Sequence, residues 1–376
     1  MSSWIKNINL EGDRTIWGVV LALSLSSVLV VYSTAGWHFL FSHITKLLLG
    51  LFAIYVVHKI KFKYFSKLGQ LGFLFSLFLL VLVLLIGVSV NGASRWLQIA
   101  GQQFQPSDVA KLAILVYMAR QISKQRDYLH DFKELFWHVL GPLILVCVLI
   151  LPNNFSTAAL VFINGLVLMF VGKIRIKFIA AIIGFAFVGA LTIYGTAKFT
   201  SLGTKIMPRS ATWVSRIDSF FVDADGDEQT KDFQQTQALV AIQNGGMTGV
   251  GPGKSTQRNI LPYSSSDFIY AIIIEEYGLF GGVLALLFYL ILMFRAIRIA
   301  LRVESVFGSL LATGLMFSLV FQALINMLVS VEVLPVTGQT LPLISMGGTS
   351  IVFSCIAIGI VLSVSRDATD RKYEKA

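Results

Sequence analysis

The sequence predicts an all-α, polytopic membrane protein with about ten transmembrane helices and one large extracytoplasmic loop between helices 7 and 8. Of its 376 residues, 56% are hydrophobic and only 13% are charged, and the mean hydropathy is +0.76. A soluble domain carries about 25% charged residues, so lipid must act as the solvent for much of this chain. Apolar runs of about 17–25 residues, the length that crosses a bilayer, recur along the sequence.

Ten of these apolar runs are predicted to span the membrane. They lie near residues 15–35, 42–58, 69–90, 106–122, 135–151, 155–172, 177–197, 268–294, 306–330 and 347–365. The run at 42–58 contains Lys46 and the run at 106–122 is amphipathic, so these two depart most from a uniformly apolar span. Residues 198–267 form the large loop, whose composition predicts partial order, with a short amphipathic helix from Phe233 to Ile242. With no attached soluble domain and no internal repeat evident, residues 1–376 are predicted to form a single integral membrane domain.

Lysine and arginine residues set the predicted orientation. If the N-terminus is cytoplasmic, the short loops rich in Lys and Arg face the cytoplasm, whereas the outer loops near 36–41, 152–154 and 331–346 contain none. Both termini are therefore predicted to be cytoplasmic. The large loop also contains Lys and Arg residues, but long loops translocate largely regardless of charge. The net charge of +10 is thus mostly a topology signal, and no nucleic-acid partner is expected.

The cysteines and the N-terminal residues argue against a zinc site, a disulfide and a cleavable signal peptide. Cys147 and Cys355 lie inside apolar runs with no Cys or His at ligand spacing, which argues against a zinc site and a disulfide. The first fourteen residues are polar and mixed, and the apolar run that follows is long enough to remain as an anchor, so no cleavable signal peptide is expected.

Asp267 is the leading candidate for chemistry. It lies where the large loop enters the eighth predicted span, reachable from the outer face yet beside apolar residues. Partial burial would raise the pKa of this carboxyl toward a range useful for a general base. The alternative is that Ser266 or Asp267 only caps the N-terminus of the following helix.

Glu275 and Glu276 follow Asp267 within the same predicted span, roughly two helical turns or about 12–13 Å further along the helix axis. Carboxylates inside a span are costly, so they usually face a cavity or a cationic partner. Adjacent residues point about 100° apart, so at most one should share the face of Asp267. The alternative role is an ion pair with a Lys or Arg of a neighbouring helix.

The outer segment 91–111 offers a second group of candidates. Arg95 and Trp96 could bind a pyrophosphate and a sugar face, although Trp96 could equally be an ordinary interfacial aromatic. Pro106 suits the first turn of a helix. Lys111 then lies one turn inside the membrane, where it needs a phosphate or a carboxylate such as Asp108.

Two glycine-rich outer segments offer no acid or base. Residues 245–253 lack the strand–turn–helix context of a nucleotide loop, and a tight turn that lets backbone approach neighbouring helices explains them. Residues 334–350 are uncharged and rich in Gly and Pro. Irregular backbone at that depth is tolerated only when buried in protein or lining a cavity, which indicates a wall of a site.

Four sequence blocks together carry a resemblance to a known family. They are residues 91–97 (NGASRWL) with 104–111 (FQPSDVAK), residues 237–253, residues 261–278 with their SDFI and EEYG motifs, and residues 334–350. Over nearly its whole length the chain resembles the RodA/FtsW/SpoVE (SEDS) family of shape, elongation, division and sporulation proteins. The sequence of residues 337–345 (TGQTLPLIS) is more similar to the FtsW division branch than to the RodA branch.

The resemblance implies a fold of ten transmembrane helices and a peptidoglycan glycosyltransferase activity on lipid II, the undecaprenyl-pyrophosphate-linked disaccharide peptide. It implies the bacterial inner membrane, at the division septum if the chain is of the FtsW type. The implied partners are a class B penicillin-binding protein, which is a transpeptidase, and other divisome membrane proteins. No cofactor is expected. A divalent cation could help, but the sequence shows no ligand cluster for one.

The resemblance assigns a role to one residue, and the reaction it implies makes further residues candidates for binding substrate. The family's key acidic residue, at the foot of the large outer loop, maps onto Asp267, and this residue is expected to accept the proton of the acceptor sugar hydroxyl. The residues expected to bind substrate are Arg95, Trp96, Gln105, Ser107, Lys111, Lys254, Arg258, Ser266, Glu275 and Glu276. Four of them, Arg95, Lys111, Lys254 and Arg258, are the candidates for the pyrophosphate.

The chain departs from the family pattern in three places. The family often has an acid after the proline between spans five and six, whereas residues 152–157 here have none, which puts a role for that loop in doubt. Asp108 stands where a Glu is usual, and Ser265-Ser266 replaces the His or Thr before the key Asp. The alternatives are a transporter that flips lipid II, a scaffold that only recruits a transpeptidase, and an elongation polymerase of the RodA type.

Overall fold

The computed structural model describes residues 11–90, 93–99, 101–200, 209–222 and 233–374. This part of the chain is predominantly helical, which confirms the predicted fold class. The helices are α1 Arg14–Val57, α2 Phe65–Ile86, α3 Pro106–Lys124, α4 Phe132–Leu135, α5 Gly141–Ile150, α6 Phe155–Val171, α7 Ile176–Phe199, α8 Ser210–Val222, α9 Phe233–Gly245, α10 Ile269–Arg302, α11 Val306–Ser330 and α12 Thr349–Glu374. One π-helical turn, Phe136–Leu140, joins α4 to α5.

Helix α1 is a hairpin of two antiparallel arms. Its backbone is non-helical at Gly36, where φ is 72°, a left-handed value that favours glycine. Beyond this point the chain doubles back. The ring of Trp17 lies 5.3 Å from that of His58, and Ser27 lies within hydrogen-bond distance of His43 at 2.7 Å. The two arms correspond to the predicted spans at 15–35 and 42–58.

Within the described ranges, seven helical stretches are long and apolar enough to cross a membrane by length and composition. They are α1, α2, α4 with α5, α7, α10, α11 and α12. The α1 hairpin supplies two crossings, and the shorter apolar helix α6 and the amphipathic α3 occupy the positions of two further predicted spans. The count of ten and the orientation stay predictions.

A small antiparallel sheet was not predicted. Strands β1 Val88–Val90, β2 Ala93–Ile99 and β3 Gln102–Phe104 pair in sequence order. The predicted third span, 69–90, therefore ends early, with α2 stopping at Ile86. Leu97 points inward and packs with Leu79 and Val83 of α2.

Helix α11 lies at the centre of the bundle, packed against α3, α6, α10 and α12. Buried polar residues at four-residue spacing, namely Ser318, Gln322, Asn326 and Ser330, form a stripe along one face of this helix. Polar groups inside a membrane need partners or face a functional cavity. In this chain the stripe faces the irregular segment 334–348, hereafter the outer loop, through hydrogen bonds from Gln322 and Asn326.

The predicted large loop, 198–267, is partly ordered as expected. It contains α8 and α9, and α9 covers the helix predicted from Phe233 to Ile242. Residues 201–208 and 223–232 of this loop, including Lys205 and Lys231, lie outside the described residues. The glycine-rich turn packs directly on α10, since Val250 N–H donates to Glu275 O at 2.9 Å and Leu279 N–H donates to Gly246 O at 2.9 Å.

Candidate active site

Asp267 lies in a turn immediately before α10. Its backbone N–H donates to Tyr263 O at 3.1 Å, and Tyr263 has a left-handed φ of 59°. The residue is half-buried. Helix α10 has Phe268 at its N-cap and no side-chain cap hydrogen bond, so neither Ser266 nor Asp267 serves as the helix cap. The carboxylate is therefore left for another role.

A network of amide and hydroxyl side chains holds this turn. Asn326 Nδ2 donates to Asp267 O at 2.6 Å and to Gln339 O at 2.7 Å. Gln339 Nε2 in turn donates to Thr157 Oγ1 at 3.0 Å. On the other side, Ser345 Oγ donates to Ser266 O at 2.6 Å. The outer loop thus forms a wall beside Asp267, as its sequence predicted.

Three arginines converge near Asp267 from separate parts of the chain. Arg95 Nε and Arg209 Nη1 donate to the same carbonyl, Asn153 O, at 2.6 and 3.0 Å. Arg216 Nη1 donates to Val336 O at 2.9 Å. We call Arg95, Arg209 and Arg216 the arginine triad.

The charges of the triad and of Asp267 influence one another. Burial raises the pKa of the Asp267 carboxyl, while a hydrogen bond from Ser266 and the nearby charges of Arg216 and Arg95 lower it. Burial and the repulsion from Arg209 and Arg216 lower the pKa of Arg95 to about 10, against an opposing effect of Asp267. A group of cations that repel one another is suited to a bound anion of more than one charge.

An apolar cavity of about 170 Å³ adjoins this site. Helices α6, α8 and α11 and the outer loop line it, with Ala159, Leu160, Trp213 and Phe321 among its apolar walls. Arg216 and Gln339 provide polar groups in its lining. The site combines an apolar cavity with cations and a carboxylate, which suits an amphiphilic anionic substrate.

The other predicted pyrophosphate ligands have different surroundings. Lys111 Nζ lies 3.3 Å from Asp108 Oδ1 and donates to Gln322 Oε1 at 2.8 Å, so the carboxylate pairing considered from the sequence is present. Arg258 Nη1 donates to Ser33 O at 3.0 Å and thereby ties the large loop to α1. Lys254 is exposed. Of the four predicted cations, only Arg95 is among the charges that act on Asp267.

The remaining predicted residues of segment 91–111 lie at the junction of the sheet with α3. Arg95 and Trp96 are adjacent in β2 and so point to opposite faces of the strand. Gln105 Nε2 donates to Ser107 Oγ at 2.9 Å, and Gln105 N–H faces Thr349 Oγ1 at 3.5 Å. Their predicted contact with substrate stays a prediction.

Glu275 and Glu276 have structural partners. The fully buried Glu275 carboxylate accepts hydrogen bonds from Ser255 Oγ, from Thr256 N–H at 3.1 Å and from Thr256 Oγ1 at 2.9 Å. Glu276 accepts one from Ser33 Oγ on the first arm of α1. Both side chains therefore brace the glycine-rich turn and α1. The ion pair with a neighbouring helix, proposed from the sequence, is replaced by hydroxyl and amide donors.

Sequence reasoning missed several residues of this site, namely Asn153, Arg209, Arg216, Asn326 and Gln339. The polar stripe on α11 was a usable signal for Asn326, because amides at four-residue spacing in a span are unusual. Arg209 directly precedes α8 and Arg216 lies within it, and their spacing of seven residues is two helical turns. The loop 152–157 has a role despite its missing acid, since the Asn153 carbonyl positions two arginines.

In the parts of the chain that the structure describes, no group of three or more His, Cys, Asp or Glu side chains could hold a metal ion. The predicted optional divalent cation is therefore not tied to any described cluster.

Comparison with known proteins gives one family. The family described as cell cycle protein, FtsW/RodA/SpoVE, matches residues 11–370. A relative from Methylomonas methanica, named probable peptidoglycan glycosyltransferase FtsW, is 31% identical over 381 residues and covers 95% of this chain and 93% of its own. Stage V sporulation protein E of Bacillus subtilis is 33% identical over 283 residues, covering 75% and 74%.

Solved structures share the fold. A chain from a structure on the coordination of polymerization and crosslinking by a peptidoglycan synthase complex superposes with a TM-score of 0.77 at 24% identity, covering 95% of this chain and 98% of its own. The rod shape determining protein RodA of Thermus thermophilus gives a TM-score of 0.69 at 24% identity, covering 96% and 98%. These likenesses extend over nearly the whole chain.

Proposed function

The chain belongs to the FtsW/RodA/SpoVE family, and from that premise we propose that it is a peptidoglycan glycosyltransferase that polymerises lipid II during septal wall synthesis, with Asp267 as its general base. Relatives about 31% identical over most of the chain bear the name peptidoglycan glycosyltransferase FtsW. The observation that carries the proposal is the half-buried Asp267 carboxylate beside the arginine triad and the apolar cavity.

Asp267 removes a proton in the proposed reaction. The hydroxyl of the acceptor sugar loses its proton to the Asp267 carboxylate as its oxygen attacks the anomeric carbon of the donor. The bond from that carbon to the pyrophosphate oxygen breaks, and its electron pair leaves with undecaprenyl pyrophosphate. Because burial raises the pKa of Asp267, the carboxylate is a stronger base than an exposed aspartate.

The arginine triad stabilises the leaving group. Negative charge develops on the pyrophosphate as the glycosidic bond breaks, and cations fixed in place stabilise such charge without reorganising during the reaction. Asn153 O and Val336 O hold the guanidinium groups in position. Arg95 is the one predicted pyrophosphate ligand that belongs to this group, and Arg209 and Arg216 join it.

The apolar cavity accommodates part of the donor's prenyl chain. Its walls come from Phe321, Leu160 and other apolar side chains, and Arg216 lies in the same lining. A ligand with a hydrocarbon tail and a diphosphate head therefore finds a partner for each part within one continuous site. A cavity of about 170 Å³ holds only the first units of a long prenyl chain, and lipid surrounds the rest.

The cellular setting follows from the same proposal. The chain is a multi-pass membrane protein, and we place it in the bacterial inner membrane at the division septum with both termini in the cytoplasm. A class B penicillin-binding protein and other divisome membrane proteins are its proposed partners. A fold shared with a chain of a complex that coordinates polymerization and crosslinking supports a transpeptidase partner.

Purified protein and lipid II test the proposal directly, with the transpeptidase present. The wild type is expected to produce glycan chains, and Asp267→Asn is expected to abolish them without loss of folded protein. Asp218→Asn is the matched control, because Asp218 lies in the same large loop on α8 but pairs with Lys198 at 2.9 Å. Glycan chains of unchanged length from Asp267→Asn would overturn the assignment of the base.

A further inference from the structure

The outer loop contains irregular backbone buried between helices, and side chains must satisfy its carbonyl groups. Unpaired backbone groups at membrane depth are costly, so each needs a donor. Three helices supply these donors: Tyr289 of α10 to Pro342 O, Gln322 of α11 to Thr340 O, and Ser27 of α1 to Ile344 O. The Ser27 contact depends in turn on a further residue, His43.

Ser27 and His43 form a buried hydrogen-bonded pair across the α1 hairpin. Ser27 Oγ lies 2.7 Å from Ile344 O and 2.7 Å from His43 Nε2. Ser27 is fully buried and His43 is 1% exposed. A serine hydroxyl has one proton, and the Ile344 carbonyl can only accept. The proton between Ser27 and His43 therefore belongs to Nε2, and His43 is the donor to Ser27.

His43 decides where the Ser27 hydroxyl points. A serine inside a helix commonly donates to the carbonyl four residues earlier. The adjacent Ser26 does so, donating to Ala22 O at 2.9 Å. Ser27 instead donates away from its own helix, to the outer loop. The N–H of His43 occupies one lone pair of the Ser27 oxygen and so orients its proton toward Ile344.

The two residues that follow Ile344 form hydrogen bonds to the turn that contains Asp267. Ser345 Oγ donates to Ser266 O at 2.6 Å, and Met346 N–H donates to Ser265 O at 2.9 Å. Leu343, just before Ile344, has a left-handed φ of 66°, a conformation that needs support from its surroundings. The chain of contacts therefore runs from His43 through Ser27 and the outer loop to the residues next to Asp267.

We propose that His43 is a positioning residue for the glycosyltransferase reaction: by orienting the Ser27 hydroxyl it fixes the segment 341–346 and thereby the turn that presents Asp267. This inference rests on the proposed glycosyltransferase function. His43 touches neither substrate nor Asp267 in this scheme. Loss of the His43 side chain displaces Asp267 but leaves the arginine triad and the apolar cavity unchanged. The substitution should therefore lower kcat more than it raises KM.

Three substitutions separate the hydrogen bond from the ring. His43→Phe keeps an aromatic ring of similar size and removes the donor. His43→Gln keeps an N–H near the position of Nε2. Ser27→Ala removes the link itself and can be used even if His43→Phe does not fold. His58→Phe is the matched control, because His58 is a fully buried histidine of the same hairpin that packs on Trp17 at the opposite end.

The kinetic experiment measures lipid II polymerisation by full-length protein. His43→Phe and Ser27→Ala are each expected to lower kcat about tenfold, equivalent to about 1.4 kcal/mol, with KM within about twofold of the wild type. His43→Gln should recover most of the rate. The double variant should be no slower than either single one, because both act through one contact. His58→Phe should leave kcat within about twofold.

Several results would overturn the proposal while leaving the proposed function intact. They are a wild-type kcat in His43→Phe, an equal loss of rate in His58→Phe, or multiplying effects in the double variant. If the wild type itself makes no glycan, the proposed function fails instead. Hydrogen exchange of residues 341–348 adds a readout that needs no substrate: it should be faster in His43→Phe and Ser27→Ala than in His58→Phe, and equal rates would also contradict the proposal.

Discussion

Replacing Asn326 by leucine tests the support of the catalytic turn, because one amide group serves two carbonyls of the site. Asn326 Nδ2 donates to Asp267 O at 2.6 Å and to Gln339 O at 2.7 Å. Leucine has a similar shape and offers no donor, so both carbonyls lose this partner inside the bundle. The residue is 1% exposed, so water cannot easily replace the amide.

The expected magnitude follows from these two contacts. Interhelical side-chain hydrogen bonds in membrane proteins contribute about 0.6 kcal/mol on average and about 1.7 at most, so the two together contribute roughly 1–3 kcal/mol. The effect on activity should be larger, because a displacement of about 1 Å at a catalytic group can lower the rate about 100-fold. We expect kcat for lipid II polymerisation to fall by a factor of about 10–100.

The assay compares Asn326→Leu with Asn164→Leu. Asn164 is also 1% exposed and donates to Ser318 Oγ at 2.8 Å, between α6 and α11 and without a contact to the catalytic turn. Both variants should lose stability in a thermal unfolding measurement in detergent, but only Asn326→Leu should lose most of its turnover. Full activity in Asn326→Leu, or an equal loss in Asn164→Leu, would refute the reasoning.

Three further predictions test the charges, the cavity and the backbone of the site. Polymerisation should decline as the pH falls through the raised pKa of Asp267, because the base must be ionised. Arg216→Gln should move this decline to higher pH, because it removes a positive charge that lowers the pKa of Asp267. A pH profile equal to that of the wild type would contradict this prediction. Ala159→Trp should fill part of the apolar cavity. The KM should then rise for lipid II with a full prenyl chain but not for an analogue with a short chain. Equal effects on the two substrates would exclude the cavity as the prenyl site. Gly278→Ala should strongly lower the thermal midpoint, because φ is 70° and a Cβ would overlap the Met247 carbonyl oxygen. Gly189→Ala, with open space around it, should not lower the midpoint.

The sequence was sufficient for the fold class because the membrane imposes a local rule. A window of about 20 residues is enough to detect each apolar run of bilayer length. Asp267 stands out as an acid at the end of one of these runs. The helix from Phe233 was also visible, since its pattern lies within a few turns. Each of these features depends on residues that are neighbours in sequence.

The sheet at 88–104 escaped prediction because its three short strands lie between two spans, where hydropathy dominates the pattern. The break at Gly278 was also not predicted, and the turn predicted near 36–41 was not assigned to one residue; the structure bends the chain at Gly36 and at Gly278 through a left-handed glycine in each case. A glycine in an apolar run is compatible with a straight helix as well as with a sharp bend. The surrounding contacts decide between the two.

The sequence by itself determined that this chain is a multi-pass membrane protein, and it singled out one acid at the end of a predicted span. Only the tertiary structure decided which cations accompany that acid. Of the four expected, Lys111 pairs with Asp108 and Arg258 bonds to Ser33, while Arg95 acts on Asp267 together with Arg216 of α8. The physical reason is range: hydropathy acts along the chain, whereas a charged site depends on distances between groups that are far apart in sequence and meet only after packing.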